Sequence, residues 1–362
     1  MSTLLSDLCI TADDSIRHAI ACIDRNEKGI VLVTDAEGHL TGTITDGDVR
    51  RALLGRYGLE TPVKELLSRK ASSLYAQPTT ALRGTDNATL LQLMQEREVH
   101  QIPLVDEGDH VVGLVTLDDL LPNQVLPLQA VIMAGGYGTR LRPLTEELPK
   151  PMLPVGDRPL MELIISQLRR TGITRVNVAT HYLPEKIKDY FGDGRDFGIE
   201  LSYVTEDRPL GTAGALGLME TPENPVLIIN GDILTRVNFK AMLEFHRENE
   251  AALTVAVRKY DVNVPYGVIE SDGARVRALQ EKPLLSFLVN AGIYLLEPSA
   301  HRYIPNDQHS NMTDLIERLI NEGHKVVSFP IMEYWLDIGN NVDYERAQKD
   351  VKNGEMKIEL DW

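Results

Sequence analysis

Residues 128–154, L-Q-A-V-I-M-A-G-G-Y-G-T-R-L-R-P-L-T-E-E-L-P-K-P-M-L-P, decide how the rest of the chain is read. The apolar run from Leu128 to Ala134 predicts a strand, and it empties into Gly135, Gly136 and Gly138. Glycines where a strand ends remove side-chain bulk, so the backbone can come close to a phosphate. Arg140 follows at once and Lys150 ten residues later, a rigid fork of donors and a movable point charge suited to an oligophosphate. Together they point to a nucleoside triphosphate. The spacing matches neither G-x-G-x-x-G nor G-x-x-x-x-G-K-[ST], so neither a dinucleotide fold nor a P-loop is expected.

The run G-G-Y-G-T-R-L-R-P-L-T followed by P-K-P-M-L-P resembles the signature of the sugar-phosphate nucleotidylyltransferases. That resemblance implies an α/β fold with a Rossmann-like, mixed, mostly parallel sheet. It also implies that Ala134, Gly135, Gly136, Gly138 and Thr139 line the nucleotide. The pattern downstream agrees. Helical periods at Pro159–Arg170, Pro184–Phe191 and Phe239–Asn249 alternate with strand-like runs at Val176–Tyr182, Glu200–Glu206 and Val226–Ile229. Alternation of this kind predicts parallel strands covered on both faces, with ligands at their carboxyl ends.

Asn230-Gly231-Asp232 stops the run V-L-I-I sharply and places a carboxylate where phosphates would lie. By resemblance, Asp232 and Asp337, the latter in Y-W-L-D-I-G, are the two metal ligands. Two hard oxygen ligands plus substrate phosphates suit Mg²⁺, the cofactor expected here. Resemblance further assigns Gly267 and Glu281 to sugar hydroxyls, Lys282 to the sugar phosphate and Asn290 to the sugar ring. The chemistry is consistent, since a carboxylate accepts from hydroxyls and an ammonium meets a phosphate dianion. Glu206 opens E-D-R-P-L-G-T-A-G-A, which resembles the base-recognition segment and includes Gly211. An acceptor-only carboxylate suits the neighbouring N–H donors of guanine, so GTP is the first choice, with Glu206 lying in solvent as the plainer alternative. The catalytic set is then Arg140, Lys150, Asp232, Lys282 and Asp337.

Ahead of this body lies an internal repeat with a spacing of 71 residues. G-I-V-L-V-T-D-A-E-G-H-L-T-G-T-I-T-D-G-D-V-R-R-A-L-L is answered by H-Q-I-P-L-V-D-E-G-D-H-V-V-G-L-V-T-L-D-D-L-L. Each copy reads as strand, turn, strand and helix, with Thr-x-x-Asp as the helix cap. The pair resembles tandem CBS domains, an α+β unit over residues 1–121 divided near residue 59. That family often holds the ribose of an adenine nucleotide with this Thr and Asp, here Thr45 with Asp48 and Thr116 with Asp119, so a regulatory nucleotide is implied. The same residues equally serve as caps in a dimerisation module. Residues 122–127, with Pro122, Asn123 and Pro127, are expected to form a linker, short enough that it should hold the two parts in contact; 128–350 is expected to be the transferase body and 351–362 a tail.

A formal net charge of −16 argues against a nucleic-acid binder and leaves local Arg, Lys and a cation to offset an unfavourable field around phosphates. Two cysteines, Cys9 and Cys22, make no disulfide framework and are expected to be reduced. No apolar run is long enough to span a membrane and the start lacks a leader pattern, so a cytoplasmic protein is expected, one that forms a homo-oligomer. A CBS pair fused to a nucleotidylyltransferase resembles the glucosamine-1-phosphate guanylyltransferases of legionaminic acid biosynthesis. Mannose-1-phosphate guanylyltransferase and glucose-1-phosphate uridylyl- or thymidylyltransferase remain open on these residues. So does an inactive nucleotide-sensing scaffold, although that reading predicts loss of one of the five catalytic residues.

Overall fold

The computed structural model describes residues 5–55, 57–71, 75–121 and 126–356. Most of the expected linker, 122–125, and the end of the tail, 357–362, lie outside the described residues. The chain divides into two compact units, Met1–Val125 and Leu126–Trp362.

In the first unit the repeat becomes two three-stranded sheets of the same design. Cys9–Thr11 runs parallel to Ile30–Thr34, which pairs antiparallel with Leu40–Thr45. Ala81–Leu82, Gln101–Val105 and Val111–Thr116 repeat the arrangement, including an irregularity at the equivalent place in each hairpin. The short parallel edge strands were not anticipated, because two or three residues carry no readable period. The hairpin turns meet reciprocally: Leu40 N donates to Asp109 O at 3.2 Å and Val111 N to Gly38 O at 3.1 Å. His39 and His110 stack there with ring centroids 4.4 Å apart. Cys9 and Cys22 are free thiols.

In the second unit seven strands form one sheet: β1 (Gln129–Met133), β2 (Arg175–Thr180), β3 (Glu200–Thr205), β4 (Val226–Asn230), β5 (Leu253–Asn263), β6 (Leu284–Leu296) and β7 (Val326–Pro330). Their order is β3-β2-β1-β4-β6-β5-β7. All pairings are parallel except those of β6 with β4 and β5, so β6 alone runs against the rest. Chain order reverses direction between β1 and β4, which opens a crevice at their carboxyl ends. The expected elements appear within one or two residues of their predicted ends. What patterning did not reveal is the length of β5 and β6. Beyond Val257 and Asn290 they leave the core as a two-stranded ribbon, capped by the hairpin Val268–Asp272/Arg275–Gln280.

One apolar cluster holds up the crevice floor. Leu141, Leu153, Leu234, Leu336 and Ile338 pack with Leu160 and Leu163 of the helix Leu160–Arg170 and with Ala347 and Met356. Each of the first five sits within three residues of a candidate site residue. The supposed tail takes part. The last helix, Asn341–Lys352, runs past residue 350, and Met356 is buried in this cluster. Apolar burial thus ties residues 351–356, set apart above as the start of a tail, to the body of the unit.

Leu336→Ala should cost about 2–5 kcal/mol, the usual range for an emptied core position. Urea unfolding of the full chain, followed by tryptophan fluorescence, measures it; an unchanged midpoint would show that the floor does not depend on this contact.

Candidate active site

The glycine loop leaves β1 at Ala134, whose N–H donates to Ala179 O at 2.8 Å. Its three glycines serve different ends. A Cβ on Gly135 would lie 2.8 Å from Glu206 Oε1, so this glycine makes room for a carboxylate. One on Gly138, where φ is 62°, would meet Thr145 at 2.9 Å and Lys150 Cβ at 3.3 Å. Only Gly136 has nothing within 4 Å, leaving its backbone open to a ligand. Thr139–Leu141 forms one turn of 3₁₀ helix, and burial of Leu141 anchors it with Thr139 and Arg140 on the exposed side.

Lys150 begins a second 3₁₀ turn between Pro149 and Pro151 and is itself buried, its ammonium paired with Asp232 Oδ2. Asp232 ends the stop after β4. A short antiparallel ladder then pairs Ile233–Thr235 with Trp335–Asp337, setting Ile233 opposite Asp337. Ile338 N donates to Asp232 O at 3.0 Å. The ladder therefore brings carboxylates 105 positions apart in sequence, Asp232 and Asp337, to one place. Arg140 reaches the same place: a Cβ on Gly339 would lie 3.6 Å from both Asp337 Oδ1 and the Arg140 guanidinium.

The electrostatics are those of a pair built to share something. Although the Asp337 carboxylate opens to solvent, desolvation by the surrounding walls pushes its pKa up; the Asp232 charge adds to this, and Lys150 and Arg140 pull it back. Asp232 Oδ1 is buried and has no hydrogen-bond partner. A buried, unpartnered carboxylate oxygen beside a second carboxylate is costly unless a cation occupies the gap. These residues fit a hard divalent ion with oxygen ligands. The one three-residue group of metal-capable side chains among the described residues lies elsewhere, at Asp35, Glu37 and His39 of the first unit. There Asp35 already accepts from the N–H groups of Glu37 and His39 and from the His39 ring, which is turn chemistry.

Glu206 is buried rather than solvated. Its Oε2 accepts from Leu210 N at 2.7 Å, and Oε1 lies against Gly135. Burial pushes its pKa up, partly offset by the Leu210 N–H. Gly211 sits at φ 80°, with space for no more than a hydrogen before Ser310 O. On the ribbon, Gly267 adjoins Glu281, 3.0 Å from Oε2 to a built Cβ, and the exposed Lys282 follows at φ 44°. Asn290 Oδ1 accepts from Gly292 N at 3.0 Å, and Gly292 packs against Asn230. The transferase residues thus form a crevice group, Arg140, Lys150, Asp232, Asp337 and Glu206, and a ribbon group, Gly267, Glu281 and Lys282. Asn290 lies at the root of the ribbon.

Thr45 with Asp48 and Thr116 with Asp119 form complete capping boxes. Both carboxylates are also in ion pairs, Asp48 with Lys70 and Arg51 and Asp119 with Lys28. Sequence reasoning passed over Asn230, Tyr137, His181 and Tyr182. The last two follow β2 as polar aromatic side chains at a strand's carboxyl end, a signal that was available.

A mostly parallel sheet with a glycine loop, a lysine and two carboxylates at its switch point defines a nucleotide-handling α/β protein. Residues 129–354 match the model described as "Nucleotidyl transferase", and the chain belongs to that family. Residues 3–55 and 63–124 match the CBS domain. The D-glycero-alpha-D-manno-heptose 1-phosphate guanylyltransferase of Aneurinibacillus thermoaerophilus is 35% identical over 62% of this chain and 99% of its own length. The UTP–glucose-1-phosphate uridylyltransferase of Synechocystis is 32% identical over 64% of this chain and 65% of its own, so the chain spans a little under two thirds of that relative. Among solved structures, a putative glucose-1-phosphate thymidylyltransferase from Bacillus anthracis shares the fold, with a TM-score of 0.53 over 65% of this chain and 98% of its own at 24% identity. Among the described residues no helix is long and apolar enough to cross a membrane.

Because its folded-state pKa is raised, Asp337 ionises later in the native chain than in the unfolded one. Stability it contributes is full at low pH and declines as pH rises through the ordinary carboxylate range toward the raised value. Asp337→Asn should therefore raise the thermal midpoint at pH 7, with the gain fading near pH 4. Added Mg²⁺ should stabilise the wild-type chain and not this variant. Scanning calorimetry reads both, and an equal Mg²⁺ response in the two proteins would remove Asp337 as a ligand.

Proposed function

We propose that the chain transfers GMP from GTP to a sugar-1-phosphate, releasing pyrophosphate and forming a GDP-sugar. The observation that carries this is the meeting of Lys150, Arg140, Asp232 and Asp337 beneath the glycine loop, with one buried Asp232 oxygen unpartnered. A sugar-phosphate oxygen attacks the α-phosphorus, the bond from that phosphorus to the bridging oxygen of the β-phosphate breaks, and the electron pair leaves with pyrophosphate. The nucleophile is already anionic, so no side chain has to accept a proton. Positioning and charge neutralisation supply the catalysis.

In this reading Arg140 holds the β- and γ-phosphates and the open backbone at Gly136 approaches them. Lys150, fixed by its ion pair, faces charge at the α-phosphate. On the ribbon Lys282 seats the sugar phosphate, Glu281 and Gly267 meet sugar hydroxyls, and Asn290 the ring. Asp232 and Asp337 would hold Mg²⁺, which when bound neutralises phosphate charge and orients the reacting groups. The guanylyltransferase from Aneurinibacillus supports GTP by its name, and the buried, acceptor-only Glu206 supports it by chemistry. Glucosamine-1-phosphate is the acceptor favoured by the combination of a CBS pair with this body. An adenine nucleotide at Thr45/Asp48 or Thr116/Asp119 would compete with Lys70, Arg51 and Lys28 for the same carboxylates.

The ribbon supports a homo-oligomer. Tyr260 pairs with Phe287 and Val262 with Leu285 across the strands, so these side chains share a face, and all are exposed. A two-stranded ribbon is marginal by itself, and a second copy laid against this face would cover it.

Pyrophosphate release across four NTPs and a panel of sugar-1-phosphates tests the proposal; turnover with no pairing would end it. Asp232→Asn and Lys150→Ala should each lower turnover about 100-fold or more while leaving the circular dichroism spectrum unchanged. Glu206→Gln should reduce the preference for GTP over UTP, read as the ratio of kcat/KM values. Phe287→Asp should shift the sedimentation profile toward monomer.

A further inference from the structure

Two side chains that follow β2, His181 and Tyr182, fasten the loop that follows its neighbour β1. His181 Nδ1 lies 2.8 Å from Glu206 O. A carbonyl only accepts, so Nδ1 carries the proton, and in that tautomer Nε2 is an acceptor. Tyr137, between Gly136 and Gly138, places its hydroxyl 3.0 Å from that Nε2 and is therefore the donor. Its ring stands edge-on to the imidazole, with centroids 5.6 Å apart at 89°. Tyr182 reaches the far side of the same loop, its hydroxyl donating toward Thr145 O at 3.1 Å and Glu146 O at 2.9 Å. Thr145 in turn closes the loop on itself, its Oγ1 donating to Gly138 O at 2.8 Å.

From this geometry we infer that His181 and Tyr182 form a two-point clasp, with Tyr137 as its catch, that holds the glycine loop in its triphosphate-binding shape. The inference rests on the nucleotidyl-transfer reading and adds to it three positioning residues that touch no reacting atom. A segment with glycines on both sides of Tyr137 has more freedom to lose than any other kind of chain, and a ligand that had to order it would bind more weakly by that amount. The clasp meets that cost in the free protein. It accounts for an aromatic side chain at the loop tip that is 45% exposed and yet hydrogen-bonded. It also joins the two ends of the nucleotide. The hydrogen-bond chain runs from the carbonyl of Glu206, the proposed base reader, through His181 to Tyr137 in the phosphate loop.

The test uses the full-length protein with GTP and Mg²⁺. Tyr137→Phe keeps the ring and removes the donor. His181→Asn keeps a donor toward Glu206 O and has no atom at the Nε2 position that Tyr137 meets. Each cuts the same bond, so each should raise the GTP KM and the calorimetric Kd about three- to tenfold, the size of one hydrogen bond, with kcat and the sugar-phosphate KM within about twofold. The double variant should be no worse than either single one, while Tyr182→Phe should add a separate loss. Unchanged GTP affinity in Tyr137→Phe overturns the clasp, as do losses that multiply in the double variant or a fall in kcat with GTP KM unmoved. A wild-type chain that binds GTP but transfers to no sugar phosphate fails the transfer reading, and the calorimetric comparison still decides the clasp. One that binds no nucleotide removes both.

Discussion

Two carboxylates held side by side against their mutual repulsion are what the rest of the transferase unit depends on. Asp232 and Asp337 approach because a three-residue ladder pairs Ile233–Thr235, the strand that Asp232 precedes, with Trp335–Asp337, and the apolar floor under that ladder supplies the stabilisation. Lys150 offsets part of the charge, but only at Asp232 Oδ2, leaving Oδ1 buried and unpartnered. Such an arrangement is unfavourable by itself, and a cation between the carboxylates would relieve it. In the proposed reaction, stability given up locally here is charge held ready for the phosphates.

Around that pair, the site is assembled by backbone placement more than by side-chain reach. The glycine loop, Thr180 and Asn230 all sit at carboxyl ends of parallel strands, because β1 to β4 share one direction. The reversal of β6 then brings Asn290 and Gly292 to the same end, against Asn230. The groups that the proposed reaction assigns to the nucleotide and to the sugar thus come from different parts of the sheet. The long β5/β6 ribbon carries Lys282 away from the core on an arm whose apolar face is uncovered. That exposure is physically informative, since an isolated ribbon lacks the burial to stand alone.

The first unit shows the same sequence motif doing local work. Thr45/Asp48 and Thr116/Asp119 close capping boxes at the two helix starts, and lysines neutralise the remaining carboxylate charge. The repeat is therefore structural in its caps whether or not a nucleotide visits. Its reciprocal turn contacts, Leu40 with Asp109 and Val111 with Gly38, are displaced by the same 71 residues as the repeat itself, which is what a local two-fold relation demands.

Much of this was legible in the sequence, for reasons that are local. Apolar runs of period two and amphipathic runs of period 3.6 encode strands and helices, so the alternating elements from Leu128 to Asn249 came out within a residue or two. The glycine loop, Arg140, Lys150 and the stop at Asp232 were visible because each is a contiguous chemical pattern, and the family match over residues 129–354 rests on the same contiguity. The tertiary structure alone decided which distant groups meet: Asp232 with Asp337, Glu206 Oε1 with Gly135, and Tyr137 with His181, 44 positions apart. It also decided between the two readings of Glu206, placing it in the interior and not in solvent, and drew Met356 into the floor. Sequence patterns report what a residue prefers next to its neighbours. Which carboxylate loses its water, and which glycine exists to make room for it, depends on contacts formed only when the sheet closes.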